Sequence, residues 1–271
     1  MRVELASPAT QEAALAYLSA SPYANVFLCH VLLHGMARTA HGDAVVVLNG
    51  DEVTGAAHFG RQLVIAGDEP ALEALAAYAK RRGGARMIVG ERDAVRYFWK
   101  ALSAWHAPPR VIRDRQYVMM VDRSRLQPVP AGTIVRHALP AEWRAVAEGS
   151  AELILQELGY DPRRGSPDFG ANVRQTIARE LCWVGLAGDR ICFICSIGPW
   201  SDRTIQLQGV WTPPPMRGRG LATAAFTAIC DRLLEVSPTL SLYVNDFNEK
   251  AVALYLRSGF ERVADFQTLL F

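Results

Sequence analysis

The chain has 271 residues, half of them hydrophobic, which is enough for two domains with a sizeable core. Its formal net charge of +2 and its pI near 8.3 exclude the strongly basic composition that is typical of nucleic-acid-binding modules. The N-terminus lacks the apolar core of a signal peptide, and no stretch reaches the roughly 18 apolar residues that a membrane span needs. We therefore expect a cytoplasmic protein that binds neither nucleic acid nor membrane.

Local patterns in the first half predict alternating strands and helices. An apolar stretch at 25–36 has no clear period, so its structure stays open. The run AVVVLNGDEVTGAAHFG is typical of two strands joined by an Asn-Gly turn. The other predicted elements are helices at 10–19, 68–84 and 91–105, and strands at 85–90 and within 108–121.

The stretch SRLQPVPAG at 124–132 carries two prolines and a glycine, as linkers do. We place the domain boundary there, which gives domains 1–125 and 126–271.

The second half repeats the order of elements. Its patterns predict strands at 133–138, 204–212, 239–245 and 263–271, a hairpin at 182–198, and helices at 139–160, 172–180, 219–236 and 249–259. The first of these helices is expected to break near Gly149. Both halves then show a hairpin followed by helix, strand, helix and strand, which indicates an α/β (α+β) fold and is compatible with an internal duplication.

Five scattered cysteines are not typical of a disulfide framework. Cys192 and Cys195 form a CxxC, but no second pair accompanies it and it lies in the apolar run ICFICSI. We expect buried strand thiols there and no metal site.

The run PPPMRGRGLATA at 213–224 indicates a phosphate site. The residues after Gly220 show the spacing of an amphipathic helix, and the free N–H groups and dipole of a helix N-terminus favour anions. Gly218 and Gly220 would let the backbone approach a ligand closely, while Arg217 and Arg219 add bidentate donors. A simple turn with solvent-facing arginines is the alternative.

Two known phosphate loops do not fit this stretch. A Walker A loop needs Lys followed by Ser or Thr after its last glycine, and Leu221 and Ala222 stand there instead. A dinucleotide-binding domain would need further strand–helix units, and too few residues follow.

The segments QLQGVWTPPPMRGRGLATAAF and SLYVNDFNEKAVALYLRSGFERV resemble the GNAT superfamily of N-acetyltransferases. The loop departs from the family pattern at Pro215, where Gln or Arg is usual. The second segment matches at every position of the family's later motif, namely Asn248, Ala251, Leu254, Tyr255, Gly259 and Phe260. More narrowly, the chain is similar to two-domain GNAT proteins whose N-terminal half is a divergent domain of unknown function.

The resemblance implies a tandem GNAT-like fold, with a mixed, mostly antiparallel sheet flanked by helices in each half. It also implies acetyl-CoA as co-substrate, with its pantetheine along Gln208–Thr212 and its pyrophosphate on 217–222. The implied binding residues are Val210, Trp211, Thr212, Arg217, Gly218, Arg219, Gly220, Leu221, Ala222, Asn248 and Tyr255.

The implied reaction is transfer of an acetyl group to a primary amine by direct attack in a ternary complex. Tyr255 matches the family's general acid, and a tyrosine with a reference pKa near 10 stays protonated at neutral pH and can protonate the leaving thiolate. The alternative for Tyr255 is a packed amphipathic side chain. Asn248 either caps a helix or contacts the cofactor.

The base that takes the proton of the amine is less defined by sequence. Glu152 and Glu157 on one helix, and Asp246 after a strand, are candidates, and each is equally compatible with a solvated surface carboxylate. Tyr160 and Trp211 either shape the acceptor pocket or pack in the core. The acceptor, a small-molecule or peptide amine, and the oligomeric state stay open.

The N-terminal half lacks an Arg-Gly run, and Asp68 and Glu69 at its equivalent helix would repel a pyrophosphate. We expect no acetyl-CoA there, although Tyr97 lies on its second helix. A non-catalytic acyl-CoA-binding protein with a regulatory or interaction role is the alternative function for the whole chain.

Overall fold

The computed structural model of the chain describes residues 1–35, 38–39, 42–83, 85–165 and 167–271. Met36 and Gly84, the last residues of two predicted segments, lie outside the described residues. The helices are α1 (Pro8–Leu18), α2 (Val26–His34), α3 (Glu69–Arg82), α4 (Arg92–Leu102), α5 (Trp143–Leu158), α6 (Pro162–Gly165), α7 (Phe169–Ala178), α8 (Leu221–Leu233) and α9 (Glu249–Arg257). The strands are β1 (Arg2–Leu5), β2 (Arg38–Thr39), β3 (Gly42–Asn49), β4 (Glu52–Gly60), β5 (Leu63–Gly67), β6 (Met87–Glu91), β7 (Val111–Asp122), β8 (Ile134–His137), β9 (Cys182–Ala187), β10 (Arg190–Trp200), β11 (Ile205–Trp211), β12 (Thr239–Asn245) and β13 (Glu261–Leu270).

Within the described residues all strands join one sheet in the order β1-β3-β4-β5-β6-β13-β7-β12-β11-β10-β9-β8, with β2 beside β3. The β5–β6 and β11–β12 pairs are parallel, and the other pairs in this part of the chain are antiparallel. The expected mixed, mostly antiparallel sheet flanked by helices is confirmed.

The last strands of the two halves are exchanged in the middle of this sheet. β7, from the first half, pairs with β12 along Thr239–Asn245 and with β13 on its other side. β13, from the second half, lies between β6 and β7. Each half therefore contributes a strand to the part of the sheet that the other half builds.

Helices cover both faces of the C-terminal part of the sheet. Successive strand residues point to opposite faces, and Phe193 and Ile194 of β10 show this directly. Phe193 packs in a cluster with Phe226 of α8 and Tyr255 of α9. Ile194 packs in a separate cluster formed by α5 and α7.

The structure decides what local pattern left open and corrects one expectation. The apolar stretch of unclear period forms α2, and the five-residue strand β5 was not predicted. The predicted break at Gly149 is wrong, because α5 runs continuously through it. Gly149 is needed for space instead: a Cβ there would lie 2.7 Å from Cε3 of Trp211. None of the helices in the described part of the chain is long and apolar enough to cross a membrane.

Candidate active site

A cleft opens where β11 and β12 separate. The two strands pair only through Ile205 with Leu240 and Gln206 with Ser241. Beyond this point β11 bulges against β10, and Gly209 lies at the bulge with a φ of +63°. The main-chain groups of 207–211 that face β12 therefore have no strand partner among the described residues.

The cleft has a volume of about 1180 Å³. Its walls come from β11, the loop before α8, β12, α9, the end of α5 and the strand β7. Because β7 belongs to the first half of the chain, both halves line the same cleft.

The glycine loop ends in an uncapped helix N-terminus. Gly218 and Gly220 have φ of +73° and +76°, and a Cβ on either would meet no protein atom within 4 Å. The backbone conformation, rather than crowding within the protein, is thus the first reason for glycine here. No side chain caps α8, and the N–H groups of 218–223 have no acceptor among the described residues.

The two arginines of the loop differ in their contacts. Nε of Arg217 donates to the carbonyl of Thr212 at 2.9 Å, which ties the loop to the end of β11. Arg219 is exposed, and within the described part of the chain its one polar contact is a long one, 3.8 Å, with the sulfur of Met216. Both line the cleft and leave guanidinium N–H groups available for an anion.

Tyr255 lies at the bottom of the cleft. It is 6% exposed, and its ring packs 5.3 Å from that of Phe226 and 6.0 Å from that of Phe260. Its hydroxyl has no hydrogen-bond partner among the described residues. Burial, with smaller contributions from Cys195 and Glu157, raises the pKa of Tyr255 above its usual range, so the phenol is protonated at neutral pH.

Glu157, near the end of α5, also lines the cleft. Its carboxylate is reached from the cleft, but the surrounding walls remove part of its hydration, and this raises its pKa above the ordinary 4.5. Arg113 of β7 opposes the shift and donates from Nη2 to the carbonyl of Glu157 at 2.7 Å.

Several predicted residues lie outside the cleft lining. Glu152 lies near Arg163, whose pKa is raised mainly by its hydrogen bond to Asp161, with a small contribution from Glu152. The N–H of Asp246 donates to the carbonyl of Arg115 at 3.3 Å, and Tyr160 is half-exposed. Leu221 packs against the core cluster beneath α8.

Other predicted residues do meet in the cleft, namely Val210, Trp211, Thr212, Arg217, Gly218, Arg219, Gly220, Ala222, Asn248 and Tyr255. Asn248 caps α9, because its Oδ1 accepts from the N–H of Ala251 at 3.3 Å. It lines the cleft as well, so capping leaves it beside any ligand bound there.

Sequence reasoning missed several polar or aromatic residues of the lining, among them Arg113, Gln116, Tyr243 and Asn245. Asn245 is 6% exposed, and its Oδ1 has no donor among the described residues. Gln116 lies directly opposite it on β7. A signal was present, since Gln116 precedes the apolar run YVMM and Asn245 ends the apolar strand TLSLYVN.

In the first half, the N-terminus of the corresponding helix, α3, is already capped by a carboxylate. Oδ1 of Asp68 accepts from the N–H of Ala71 at 2.9 Å and caps α3. The hydroxyl of Tyr97 donates to Glu73 at 2.7 Å. This helix start therefore offers an anion a carboxylate rather than free amides.

Comparisons with known proteins agree with this architecture. The model of the acetyltransferase (GNAT) family matches residues 152–260, and that of a domain of unknown function, DUF4081, matches residues 42–146. A search of curated proteins finds no match.

Solved structures with the same fold span nearly the whole chain. A Drosophila protein aligns with a TM-score of 0.68 and 12% identity over 99% of this chain and 98% of its own. A GCN5-related N-acetyltransferase from Sphaerobacter thermophilus gives 0.63 and 16%, over 98% and 94%. A tandem GNAT protein from the clavulanic acid biosynthesis pathway gives 0.59 and 17%, over 99% and 98%. Residues 152–260 thus match the GNAT family behind an N-terminal half that matches a different family model, and the whole chain shares the fold of solved structures that include a tandem GNAT protein.

Proposed function

We propose that the chain is an acetyl-CoA-dependent N-acetyltransferase that moves an acetyl group to a primary amine in a ternary complex. The match of residues 152–260 to the GNAT family and the shared fold support acyl-CoA-dependent acetyl transfer in general. The observation that carries the proposal for this chain is the uncapped start of α8, with its free amides, beside the unpaired edge of β11.

The residues present fit acetyl-CoA. A diphosphate needs converging N–H donors and positive charge, which the amides of 218–222 with Arg217 and Arg219 supply. The amide groups of pantetheine need an extended backbone with free donors and acceptors, and the splayed part of β11 offers these at Val210 and Thr212. Asn248 and Trp211 complete the walls of this half of the cleft.

Tyr255 is proposed to protonate the sulfur that leaves when the acetyl group is transferred. The residue is 6% exposed and lines the cleft, and its hydroxyl is protonated and without another hydrogen-bond partner among the described residues, as a proton donor for the cleft requires.

Glu157 is proposed to accept the proton of the attacking amine. An amine must lose its charge to become a nucleophile, and a carboxylate with a raised pKa is a stronger base than an ordinary one. Of the three glutamates on α5, this is the one in the cleft lining. The acceptor is thus a small-molecule or peptide amine that approaches between α5 and β7.

We further propose that residues 126–271 form the catalytic domain, whose cleft β7 of the first half completes, and that residues 1–125 form a GNAT-like domain that binds no acetyl-CoA at its own helix start. Asp68 at the start of α3 supports the second part. We expect the enzyme to act in the cytoplasm.

Calorimetry with acetyl-CoA, followed by thiol release with a panel of amines, tests the function. We expect binding at micromolar to millimolar acetyl-CoA, and a roughly 10²–10⁴-fold lower kcat for Tyr255→Phe with little change in acetyl-CoA affinity. Tyr97→Phe, in the corresponding helix of the first half, is the matched control and should behave as the wild type.

Two results would contradict the proposal. Absence of binding at millimolar acetyl-CoA would show that acetyl-CoA is not the co-substrate of this chain. Binding with slow thiol release that Tyr255→Phe leaves unchanged would instead favour the non-catalytic acyl-CoA-binding alternative.

A further inference from the structure

Four polar residues of the cleft lining, Arg113, Gln116, Glu157 and Asn245, are called here the polar quartet. Arg113 bonds the main chain of Glu157, and Gln116 faces Asn245 across the β7–β12 pair. Glu157 lies close enough to Tyr255 to contribute to its raised pKa. The quartet therefore adjoins the proposed reaction centre.

A β-bulge allows β7 to supply two members of the quartet. Against β13, Gln116 pairs with Phe266 and Arg113 with Thr268, so two residues of β7 face one residue of β13. Arg113 and Gln116, three positions apart, consequently both line the cleft.

These two residues provide hydrogen-bond donors without an anion to receive them. Arg113 is half-buried and has no carboxylate within ion-pair distance among the described residues. Gln116 is 1% exposed, and its Oε1 accepts from the hydroxyl of Thr268 at 2.5 Å. Its NH₂ is then the group left to bind a ligand. A guanidinium and an amide donor on one wall suit a carboxylate.

The other two residues provide acceptors without a donor. Oδ1 of Asn245 is buried and unpaired among the described residues, which costs free energy unless a ligand N–H meets it. The carboxylate of Glu157 likewise has no ion-pair partner in the described part of the chain. Two acceptors, one of them charged, suit an ammonium or amine.

We propose that the polar quartet binds an acceptor with a carboxylate a few bonds from its amine, as in an amino acid. Arg113 and Gln116 bind the carboxylate, and Glu157 and Asn245 bind the amine beside Tyr255. The proposal rests on the acetyltransferase function proposed above. Polyamines fit less well, because their second positive charge would lie near Arg113.

The test compares amino acids with their carboxamides. Thiol release by the full chain is measured at saturating acetyl-CoA for the twenty common amino acids and for the twenty carboxamides. We expect at least one amino acid to exceed its carboxamide at least tenfold in kcat/KM, since a hydrogen bond to a charged group contributes about 1.5–3 kcal/mol.

Variants assign the preference to Arg113. Arg113→Gln should reduce the ratio of amino acid to carboxamide to below about three, and Arg113→Lys should restore part of it by returning the charge. Arg110→Gln removes an equal charge from an exposed position on the same segment and should leave the ratio as in the wild type. Calorimetry with acetyl-CoA accompanies each variant to show that the donor site is intact.

The outcomes separate this proposal from the function on which it rests. If acetyl-CoA binds and other amines are acetylated, but no amino acid exceeds its carboxamide, the quartet proposal is overturned and the acetyltransferase function stands. Equal losses for both substrate classes in Arg113→Gln would give Arg113 a purely structural role and overturn the carboxylate assignment. If the wild type fails to bind acetyl-CoA, both proposals fall.

Discussion

The positions of Glu152 and Glu157 around the helix α5 decide which of the two carboxylates lines the cleft. They lie five positions apart on α5, which is about 140° around a helix of 3.6 residues per turn. One therefore lines the cleft while the other lies near Arg163. Sequence places both on one helix, but the rotation of that helix against the sheet depends on packing that no local pattern contains.

The pH dependence of the reaction distinguishes the two glutamates. Glu157 must be ionised to accept a proton, so kcat/KM should fall as pH decreases through its pKa, which partial desolvation by the cleft walls holds above the ordinary 4.5 although the residue is exposed. Glu157→Gln should remove this acidic limb and lower the plateau by roughly 10²–10⁴-fold. The check is a profile of kcat/KM between pH 5 and 9.

Glu148→Gln, on the exposed side of α5, is the control for that profile and should keep the limb. Loss of the limb in Glu152→Gln, with the limb retained in Glu157→Gln, would reverse the assignment of the base.

At the scale of elements, α5 and β11 pack closely because Gly149 of α5 has no side chain. The ring of Trp211, at the end of β11, packs directly against Gly149 of α5, where a Cβ would leave it no room. Local hydrophobic periodicity predicts most of the helices and strands, because their repeats depend on residues that are neighbours in the sequence. It does not predict the role of Gly149 or the strand β5, since a close contact across the fold and a strand of only five residues leave little local signal.

Gly149→Ala tests this fit. Its Cβ would lie 2.7 Å from Cε3 and 2.9 Å from Cζ3 of Trp211, so the ring must shift. We expect a loss of about 1–3 kcal/mol in stability, seen as a Tm lower by several degrees, together with altered tryptophan fluorescence and weaker acetyl-CoA binding.

Gly170→Ala, in α7, is the matched control, since its Cβ would come no closer than 3.4 Å to a neighbour. It should preserve or slightly raise the Tm, because alanine favours a helix. Equal Tm values for the wild type and Gly149→Ala would show that the packing of the Trp211 ring does not require a glycine at this position.

At the scale of the whole molecule, the exchange of β7 and β13 joins the two halves. Element order in the sequence indicates two similar units, and the continuous sheet contains both. Local sequence patterns do not predict the exchange itself, because β7 pairs with residues more than a hundred positions further along the chain. Because β7 is equally far in sequence from the rest of the cleft lining, the contribution of Arg113 and Gln116 could not be predicted from local patterns either.

The exchange predicts that the halves are unstable apart. Residues 126–271 alone would lose β7, and with it the partner of both β12 and β13. We expect this fragment to aggregate or to lack a cooperative thermal transition by circular dichroism, and to bind no acetyl-CoA. Coexpression with residues 1–125 is the control and should restore a single complex in size-exclusion chromatography. A lone fragment with a sharp transition and the acetyl-CoA affinity of the full chain would contradict the prediction.

The central claim is that main-chain amides at the start of α8 bind the diphosphate of acetyl-CoA. A crystal structure of the full chain with CoA measures this directly. We predict diphosphate oxygens about 3 Å from the N–H groups of 219–222, with the thiol beside Tyr255. A diphosphate bound at α3, or held only by the side chains of Arg217 and Arg219, would contradict the account.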